Sequence, residues 1–349
     1  MLPIDTISGV NYLFLLLSNN KVGKFTIKIG NAMRGSFGIK SAANQILLTA
    51  SFAAVSFFVI GLAGTFLLSA ITGISANDIM NPAIFTQKRE QALFFIRGMQ
   101  LVQFIGLFLV PSFLAAYFFS TSNKNYLGFK KPYVGMYWII GILTLLIALP
   151  LVQWLGELNR EIPFSPNIAK WIGDKEDSAD QTVKALLSHQ SIADLILNLL
   201  FIAGLAAIGE ELLFRGVLQR LFIKQFRSPW AGILIAAFLF SALHMQFYGF
   251  LPRFVLGVLL GAVYWYSGSL WIAIITHFLY DALLVTITYF DPTMLNDDKQ
   301  IVSASALMVS GLLSALFVTM NIHWMLRNTN ASYESFIADD NSINTAANN

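Results

Sequence analysis

Long runs of apolar residues alternate with short polar connections along most of this chain. Each run is long enough to cross a bilayer as an α-helix, which takes about 20 predominantly apolar residues. The pattern places spans at residues 44–73, 92–120, 133–155, 192–222, 229–247, 250–267, 269–290 and 301–327. It predicts an all-α fold, a polytopic membrane helix bundle of about eight transmembrane helices.

Composition supports the membrane assignment and narrows the chemistry. Hydrophobic residues make up 56% of the 349 positions and charged residues 12%, whereas about 25% charged residues is usual in soluble domains. The net charge of +3 does not indicate a nucleic-acid partner, because the basic residues lie in short connections beside apolar spans, where they set topology and contact membrane lipids. The absence of cysteine excludes disulfides, thiolate ligands and a cysteine nucleophile.

The distribution of basic residues predicts the orientation of the spans. With the N-terminus inside, the inner connections hold twelve lysines and arginines and the short outer connections hold four. Because positive charge concentrates on the cytoplasmic side, we expect both termini to be cytoplasmic in an integral protein of the bacterial inner (plasma) membrane.

The chain divides into five regions by composition. Residues 1–43 form a basic cytoplasmic or interfacial segment, and 44–190 hold the first three spans and a long outer loop. Residues 191–290 form a core that carries the polar motifs described next, and 291–327 hold the last span. Residues 328–349 are rich in Asn, Ser and Ala with few large apolar groups, and such a composition predicts a disordered tail.

Three polar groups interrupt the apolar spans of this core. They are, in chain order, Glu210, Glu211 and Arg215; Phe240 and His244; and His277 and Asp281. Ionisable residues at membrane depth are costly and mark functional sites. A rise of about 1.5 Å per residue places four ionisable residues in the middle zone of a bilayer of about 30 Å. These four are Glu210, His244, His277 and Asp281. The three groups are therefore predicted to form one site.

Spacing within each group indicates different roles. Glu211 and Arg215 are four residues apart and share a helix face, so they are predicted to form an internal ion pair. Glu210 points about 100° away from that face and is left as the free carboxylate. His277 and Asp281 are also four apart and are predicted to face one cavity.

Each residue also has a plainer structural interpretation. His244 alone fits an interhelical hydrogen bond, Phe240 fits packing, and the glutamate pair fits a proton relay in a transporter. Together, an acid pair, two histidines and a further carboxylate supply a base, metal ligands and an electrophilic stabiliser. Two functions stay open: a hydrolytic enzyme, or a transporter, chaperone or scaffold that uses these groups to move protons or hold a partner.

The three motifs resemble those of the CAAX prenyl protease and bacteriocin-processing family of intramembrane proteases, the CPBP or Abi family. Its pattern is Glu-Glu-x-x-x-Arg, then Phe-x-x-x-His, then His-x-x-x-Asn or a similar polar residue at the last position. The order and spacings agree over about residues 192–290. Position 281 departs from the pattern, since it is Asp where Asn is common.

The resemblance implies that a peptide bond in a membrane-embedded or lipidated protein or peptide is cleaved by activated water without a covalent intermediate. Glu210 would be the general base, and His244 would hold the water or a divalent metal. His277 and Asp281 would stabilise the oxyanion or complete a metal shell, with Glu211 and Arg215 in support.

A metal is implied by the family's common classification as metalloprotease. Zinc is the candidate, with Glu210, His244 and His277 as ligands, although His-Glu-x-x-His is missing from the sequence. The residues do not decide between a metalloprotease and a glutamate protease, and they leave the substrate and the oligomeric state open.

Overall fold

The computed structural model describes residues 33–80, 83–187, 191–295 and 303–345, and these residues form helices joined by short connections. Within these ranges no strand occurs. The predicted all-α class is therefore confirmed. Residues 1–32, most of the predicted basic N-terminal segment, lie outside the described residues.

The longer helices bundle around a central helix, α5. They are α1 (Ala42–Thr72), α2 (Arg89–Phe119), α3 (Tyr137–Arg160), α4 (Pro166–Leu187), α5 (Ile192–Phe226), α6 (Pro229–Leu243), α7 (Phe250–Ser267), α8 (Leu270–Phe290), α9 (Ala304–Arg327) and α10 (Tyr333–Thr345). Short helical turns lie in the connections at Asp78–Met80, Ile84–Gln87, Asn123–Tyr126 and Pro292–Leu295.

Seven of the described helices are long and apolar enough to cross a membrane, and α6 is shorter. Its 15 residues rise about 22 Å, less than the roughly 30 Å of a hydrocarbon core. The chain turns at Met245, whose φ of 56° is left-handed, so the fifth predicted span, 229–247, ends earlier than expected. The chain is an integral membrane protein whose α6 reaches only part of the way.

Helix α5 departs twice from regular α-helix. π-helical segments at Leu199–Gly204 and Phe214–Gln219 enclose the α-helical stretch Leu205–Leu213. Such turns accommodate an extra residue and often lie at functional sites. The extra residue changes which side chains face the neighbouring helices, and the glutamate pair lies in the stretch between the two segments.

Small residues let α6 and α7 approach their neighbours closely. A Cβ atom on Gly257 would lie 3.0 Å from Ala237 Cβ, and one on Gly261 would lie 2.8 Å from Gln219 Oε1. Small residues at such crossings are the usual means of close helix packing in membranes. The two helices thus bring the second motif against α5.

Helix α4 occupies much of the predicted long outer loop and is attached to the bundle. Asn198 Nδ2 donates to the Leu186 carbonyl at 2.8 Å, and Arg97 pairs with Asp194 at 2.9 Å. These contacts hold the end of α4 against α5 and α2.

Both ends of the described chain lie at the same end of the bundle. Backbone amides of Gly35 and Phe37 donate to the carbonyls of Tyr117 and Phe118 at the end of α2. In α10, Asp339 pairs with Lys130, which follows α2. An even number of membrane crossings places both ends of a chain on the same side. The seven long helices and α6 together give such an even number.

The tail predicted to be disordered, 328–349, instead contains α10, and only its residues 346–349 lie outside the described ones. Phe336 packs against Trp265 with ring centroids 5.9 Å apart. Asp340 is buried and accepts a hydrogen bond from Lys224 Nζ at 2.8 Å. The prediction was wrong because average composition hides two well-spaced anchors, one aromatic and one acidic.

Candidate active site

The two adjacent glutamates on α5 have different surroundings. The Glu211 side chain is fully buried, whereas that of Glu210 is 13% exposed and lines a cavity. Consecutive helical residues point about 100° apart. The sequence-based distinction between a structural and a free carboxylate therefore agrees with the geometry.

Glu211 forms a buried ion pair with Arg215. Arg215 NH1 donates to Glu211 Oε1 at 2.5 Å, and NH2 donates to the Gly257 carbonyl of α7 at 3.0 Å. The guanidinium carbon also lies 4.9 Å from the centre of the Phe240 ring. A buried charge needs such partners, since leaving it unpaired is strongly destabilising.

The same carboxylate orients His277 on α8. His277 Nδ1 lies 2.9 Å from Glu211 Oε1, a contact in which the ring N–H donates to the carboxylate. Nε2 is thereby directed towards Glu210. A carboxylate that fixes the ring of a functional histidine is a common supporting arrangement, so Glu211 connects the first and third motifs.

His244, directly after α6, is fixed by its own helix. Its Nδ1 lies 2.7 Å from the Phe240 carbonyl, which only accepts hydrogen bonds, so Nδ1 carries the proton. In the neutral ring Nε2 then has a free lone pair. The Phe240 ring lies against both His244 and His277, with centroids 5.0 and 6.2 Å away, and so shapes the site beyond simple packing.

Glu210 lies between the two histidines. Its Oε1 is 3.9 Å from His244 Nε2, and its Oε2 is 3.9 Å from His277 Nε2. His277 Nε2 is also 3.3 Å from Asp281 Oδ2. Separations of 3.9 Å exceed a direct hydrogen bond and fit groups that share a bridging water. The structure thus brings all three motifs together.

These groups open into a cavity of about 370 Å³. Its apolar wall includes Leu145, Val152, Ala206, Leu256, Leu260 and Leu284. Two larger cavities among the described residues, of about 430 and 650 Å³, contain none of the motif residues that line this one. An apolar cavity with a few convergent polar groups is typical of a binding site.

Sequence reasoning missed the residues that hold the turn after His244. Arg253 lines the cavity, and its NH2 donates to Gln246 Oε1 at 2.7 Å. Glu176 of α4 accepts from the backbone N–H of Tyr248 at 2.9 Å. Asn159 Nδ2 likewise contacts the Phe247 carbonyl at 2.5 Å.

The sequence pattern assigns Arg253 to a short outer connection, whereas in the structure it also lines the cavity. The only signal for its place in the site was its position nine residues after His244. Glu176 and Asn159 lie far away in sequence and gave no signal.

The donor atoms suit a metal in type. Glu210, His244 and His277 present a carboxylate and two imidazole Nε2 atoms, which zinc accepts. Within the described residues, however, no three His, Asp or Glu side chains are arranged so that they could hold a metal ion together. The zinc site therefore stays a prediction.

Comparisons with known proteins agree with the motifs. The model of the family described as type II CAAX prenyl endopeptidase Rce1-like matches residues 192–283. The "Uncharacterized 24.3 kDa protein" of Escherichia coli is 30% identical over 169 residues, which are 45% of this chain and 78% of that protein. The "Uncharacterized protein YpbD" of Bacillus subtilis (strain 168) is 33% identical over 104 residues, 29% of this chain and 48% of that protein.

No solved structure matches the chain. The matched family region, 192–283, contains all six residues of the predicted site, from Glu210 to Asp281. The resemblance drawn from the motifs is confirmed: this chain belongs to the type II CAAX prenyl endopeptidase Rce1-like family.

Proposed function

We propose that this protein is an intramembrane endopeptidase that hydrolyses a peptide bond with water activated by Glu210. The observation that carries the proposal is the position of this carboxylate, 3.9 Å from an Nε2 atom of each of two histidines at an apolar cavity. Family membership supports a CAAX-type protease. A base within reach of a water and a site for the reacting carbonyl are what such a hydrolysis requires.

The reaction follows from the residues present. Water held between Glu210 and His244 gives one proton to the Glu210 carboxylate while its oxygen bonds to the scissile carbonyl carbon. His277, oriented by Glu211, lies where the oxyanion develops, and a donor aimed at this charge lowers the barrier. Asp281 can donate to the same charge only as a neutral acid, because an ionised carboxylate only accepts hydrogen bonds. Glu210 then passes the proton to the leaving nitrogen as the C–N bond breaks, which yields a carboxylic acid and an amine.

The substrate class follows from the surroundings of the site. The cavity wall is mainly aliphatic, so it favours an extended apolar segment over a charged one. We therefore propose a membrane-embedded or lipidated protein or peptide as the substrate, membrane lipids as further partners, and no nucleic acid.

A divalent metal, with zinc as the candidate, is proposed as an addition to this site. Glu210, His244 and His277 supply suitable donor types but would have to move closer together to hold it, and the bound metal would then polarise the scissile carbonyl and the water. Dialysis against a chelator should then remove activity, and zinc should restore it. Unchanged activity after chelation would leave the glutamate and the histidines as the complete machinery.

We propose that both termini face the cytoplasm. The proposal is supported by the common end of the bundle at which residues 33–40 and α10 lie, and by the basic residues near it. A tag in the connection 161–165 should be labelled from outside intact cells, and a C-terminal tag should not. External labelling of the C-terminal tag would show that the protein has the opposite orientation in the membrane.

The decisive test is Glu210→Gln, which keeps the side-chain volume and removes the base. We expect proteolysis to fall about 100- to 10,000-fold, measured as precursor accumulation in membrane proteomes and then on the purified precursor. The matched control is Glu90→Gln, a change at an exposed glutamate in the first turn of α2.

Both variants should insert at wild-type levels. Cleavage by the Glu210→Gln variant at the wild-type rate would remove this residue from the mechanism. A proton-coupled transport defect without any accumulating precursor would favour the transporter interpretation.

A further inference from the structure

A second cavity, of about 430 Å³, lies beneath α10 beside the C-terminal end of α5. Its walls come from α10, the connection between α2 and α3, and the ends of α5 and α7. It contains none of the six residues of the proposed active site. It is therefore a separate site from the proposed active site.

The charge of this cavity is unbalanced. Lys130, Lys131 and Arg220 line it, against one carboxylate, that of Asp339. The neighbouring carboxylate, Asp340, already accepts from Lys224 at 2.8 Å and pairs with Arg220 at 3.4 Å. The lining thus has a net positive charge, and an anion would find several donors there.

Arg220 is the fixed element of the cavity. It is 7% exposed, and its guanidinium carbon lies 5.0 Å from the Tyr126 ring centre and 4.8 Å from that of Phe336. Among the described residues, none accepts a hydrogen bond from its buried Nε. Arginine held rigidly between two rings is well suited to a phosphate group.

The start of α10 brings its N-terminal helix end to the cavity, next to the exposed Glu334 of the same turn. Ser332 and Ser335 at its start line the cavity, and Ser332 Oγ accepts from the Ser335 backbone N–H. The N-terminal end of a helix carries partial positive charge and favours anions. Together with the buried arginine and two lysines, this end makes a built anion site.

The cavity lies at the level where helices leave the membrane. Gly268, in the turn between α7 and α8, lines it beside Tyr133 and Trp265. Tyrosine and tryptophan are enriched at the headgroup level of bilayers, and basic pockets there bind lipid headgroups. We propose that this cavity binds the phosphate group of an anionic phospholipid.

Asp339 occupies part of this site in the structure. Its ion pair with Lys130 is partly exposed, with side-chain exposures of 54% and 36%, and exposed ion pairs are weak. A phosphate group displaces the carboxylate from Lys130, so lipid binding and the Lys130–Asp339 contact exclude each other. The lipid then bridges α10 and the bundle.

The test is calorimetric titration of the purified full-length protein with short-chain phosphatidylglycerol, short-chain phosphatidylcholine or inorganic phosphate, all at 0.15 M salt. We expect phosphatidylglycerol to bind most tightly. The double variant Lys130→Gln/Lys131→Gln should weaken this binding roughly 25-fold, about five-fold for each lysine. Asp339→Asn should strengthen it several-fold because the competing carboxylate is removed.

The matched control is Lys170→Gln/Lys175→Gln, two exposed lysines on α4, which should not change the affinity. Equal weakening by this control, or equal affinity for the two lipids, would overturn the site. Inorganic phosphate that binds as tightly as phosphatidylglycerol, with the same dependence on Lys130 and Lys131, would show a site for soluble phosphate and overturn the lipid assignment. These outcomes do not depend on proteolysis.

Discussion

Helices α1 and α7 are both apolar enough to cross a membrane, yet they use their surfaces in opposite ways. In the most apolar window of α1, 11% of the residues are buried inside the protein, and in that of α7 the share is 61%. Helix α1 exposes Phe58 and Phe66, each 70% accessible, whereas α7 contacts α5, α6 and α8. Hydropathy therefore predicts that a helix enters the membrane, but not whether lipid or protein surrounds it.

The polar groups of the two regions differ in the same way. In α1, Thr49 and Ser51 donate to carbonyls one turn earlier in their own helix, and Ser56 also contacts the Gly106 carbonyl of the neighbouring α2 at 2.5 Å. In the core, Arg215 donates to the carbonyl of Gly257 on another helix, and His277 donates to Glu211. Charged groups are tolerated at this depth because several helices enclose them, since lipid supplies no hydrogen-bond partners.

The largest expected effect is the difference in stability lost when the buried Glu211–Arg215 ion pair or the partly exposed Lys130–Asp339 ion pair is broken. Glu211→Gln leaves Arg215 charged and without a counter-charge, which should lower the free energy of unfolding by about 3–5 kcal/mol. Asp339→Asn, in the partly exposed pair with Lys130, should cost about 1 kcal/mol or less. Both values can be measured by SDS titration in mixed micelles.

The double variant Glu211→Gln/Arg215→Met sharpens this test. It removes both charges, so it should regain much of the lost stability, yet it should stay inactive because His277 loses the carboxylate that orients it. Equal instability of the Glu211→Gln and Asp339→Asn variants would show that enclosure does not distinguish the two pairs.

The next effect concerns Asp281, where the chain departs from the family pattern. We expect Asp281→Asn to retain activity within about tenfold, because the amide donates a hydrogen bond from nearly the same position. Asp281→Leu should lose about 100- to 1,000-fold, because no hydrogen-bond donor remains at position 281. Turnover of the same precursor measures both. If the Asn variant is inactive but recovers with added zinc, Asp281 belongs to a metal shell.

The smallest effect compares one glycine from each region. A Cβ on Gly209 would lie 2.9 Å from a Phe104 ring atom, whereas one on Gly61 meets no atom within 4 Å. Gly209→Ala should therefore destabilise by about 1–3 kcal/mol through overpacking. Gly61→Ala in α1 should be neutral or stabilise by about 0.5–1 kcal/mol. Thermal unfolding in detergent would detect the difference, and equal shifts would contradict the packing contrast.

Much of the fold could be predicted because the thickness of the bilayer sets the minimum length of an apolar run that crosses it as a helix. The run 269–290 closely matches α8, Leu270–Phe290. Features that depend on tertiary contacts were missed. The stretch 229–247 contains only a 15-residue helix, because the chain turns at Met245 and distant residues hold that turn. Helix α10 depends on packing of Phe336 and burial of Asp340, which average composition conceals.

The site could be predicted as far as helix periodicity extends. The Glu211–Arg215 pair follows from a spacing of four, and the meeting of Glu210 with two histidines follows from similar depths. The contact between His277 and Glu211 could not be predicted, because it depends on the rotation of α8 against α5. The contact by which Glu176 supports the turn after His244 could not be predicted either, because Glu176 lies 72 residues before Tyr248, whose backbone N–H donates to it.

The π-helical segment Phe214–Gln219 sets the rotation of the C-terminal end of α5 relative to the part of the helix that carries the glutamates. Glu210 and Glu211 lie before the segment, and Arg220, which meets Asp340 of α10, lies directly after it. Deleting one residue within it would turn everything that follows by about 100° relative to the glutamates. Either the proposed catalytic end or the end beneath α10 would then face the wrong neighbour, so an insertion or deletion here would cost far more than its single residue suggests.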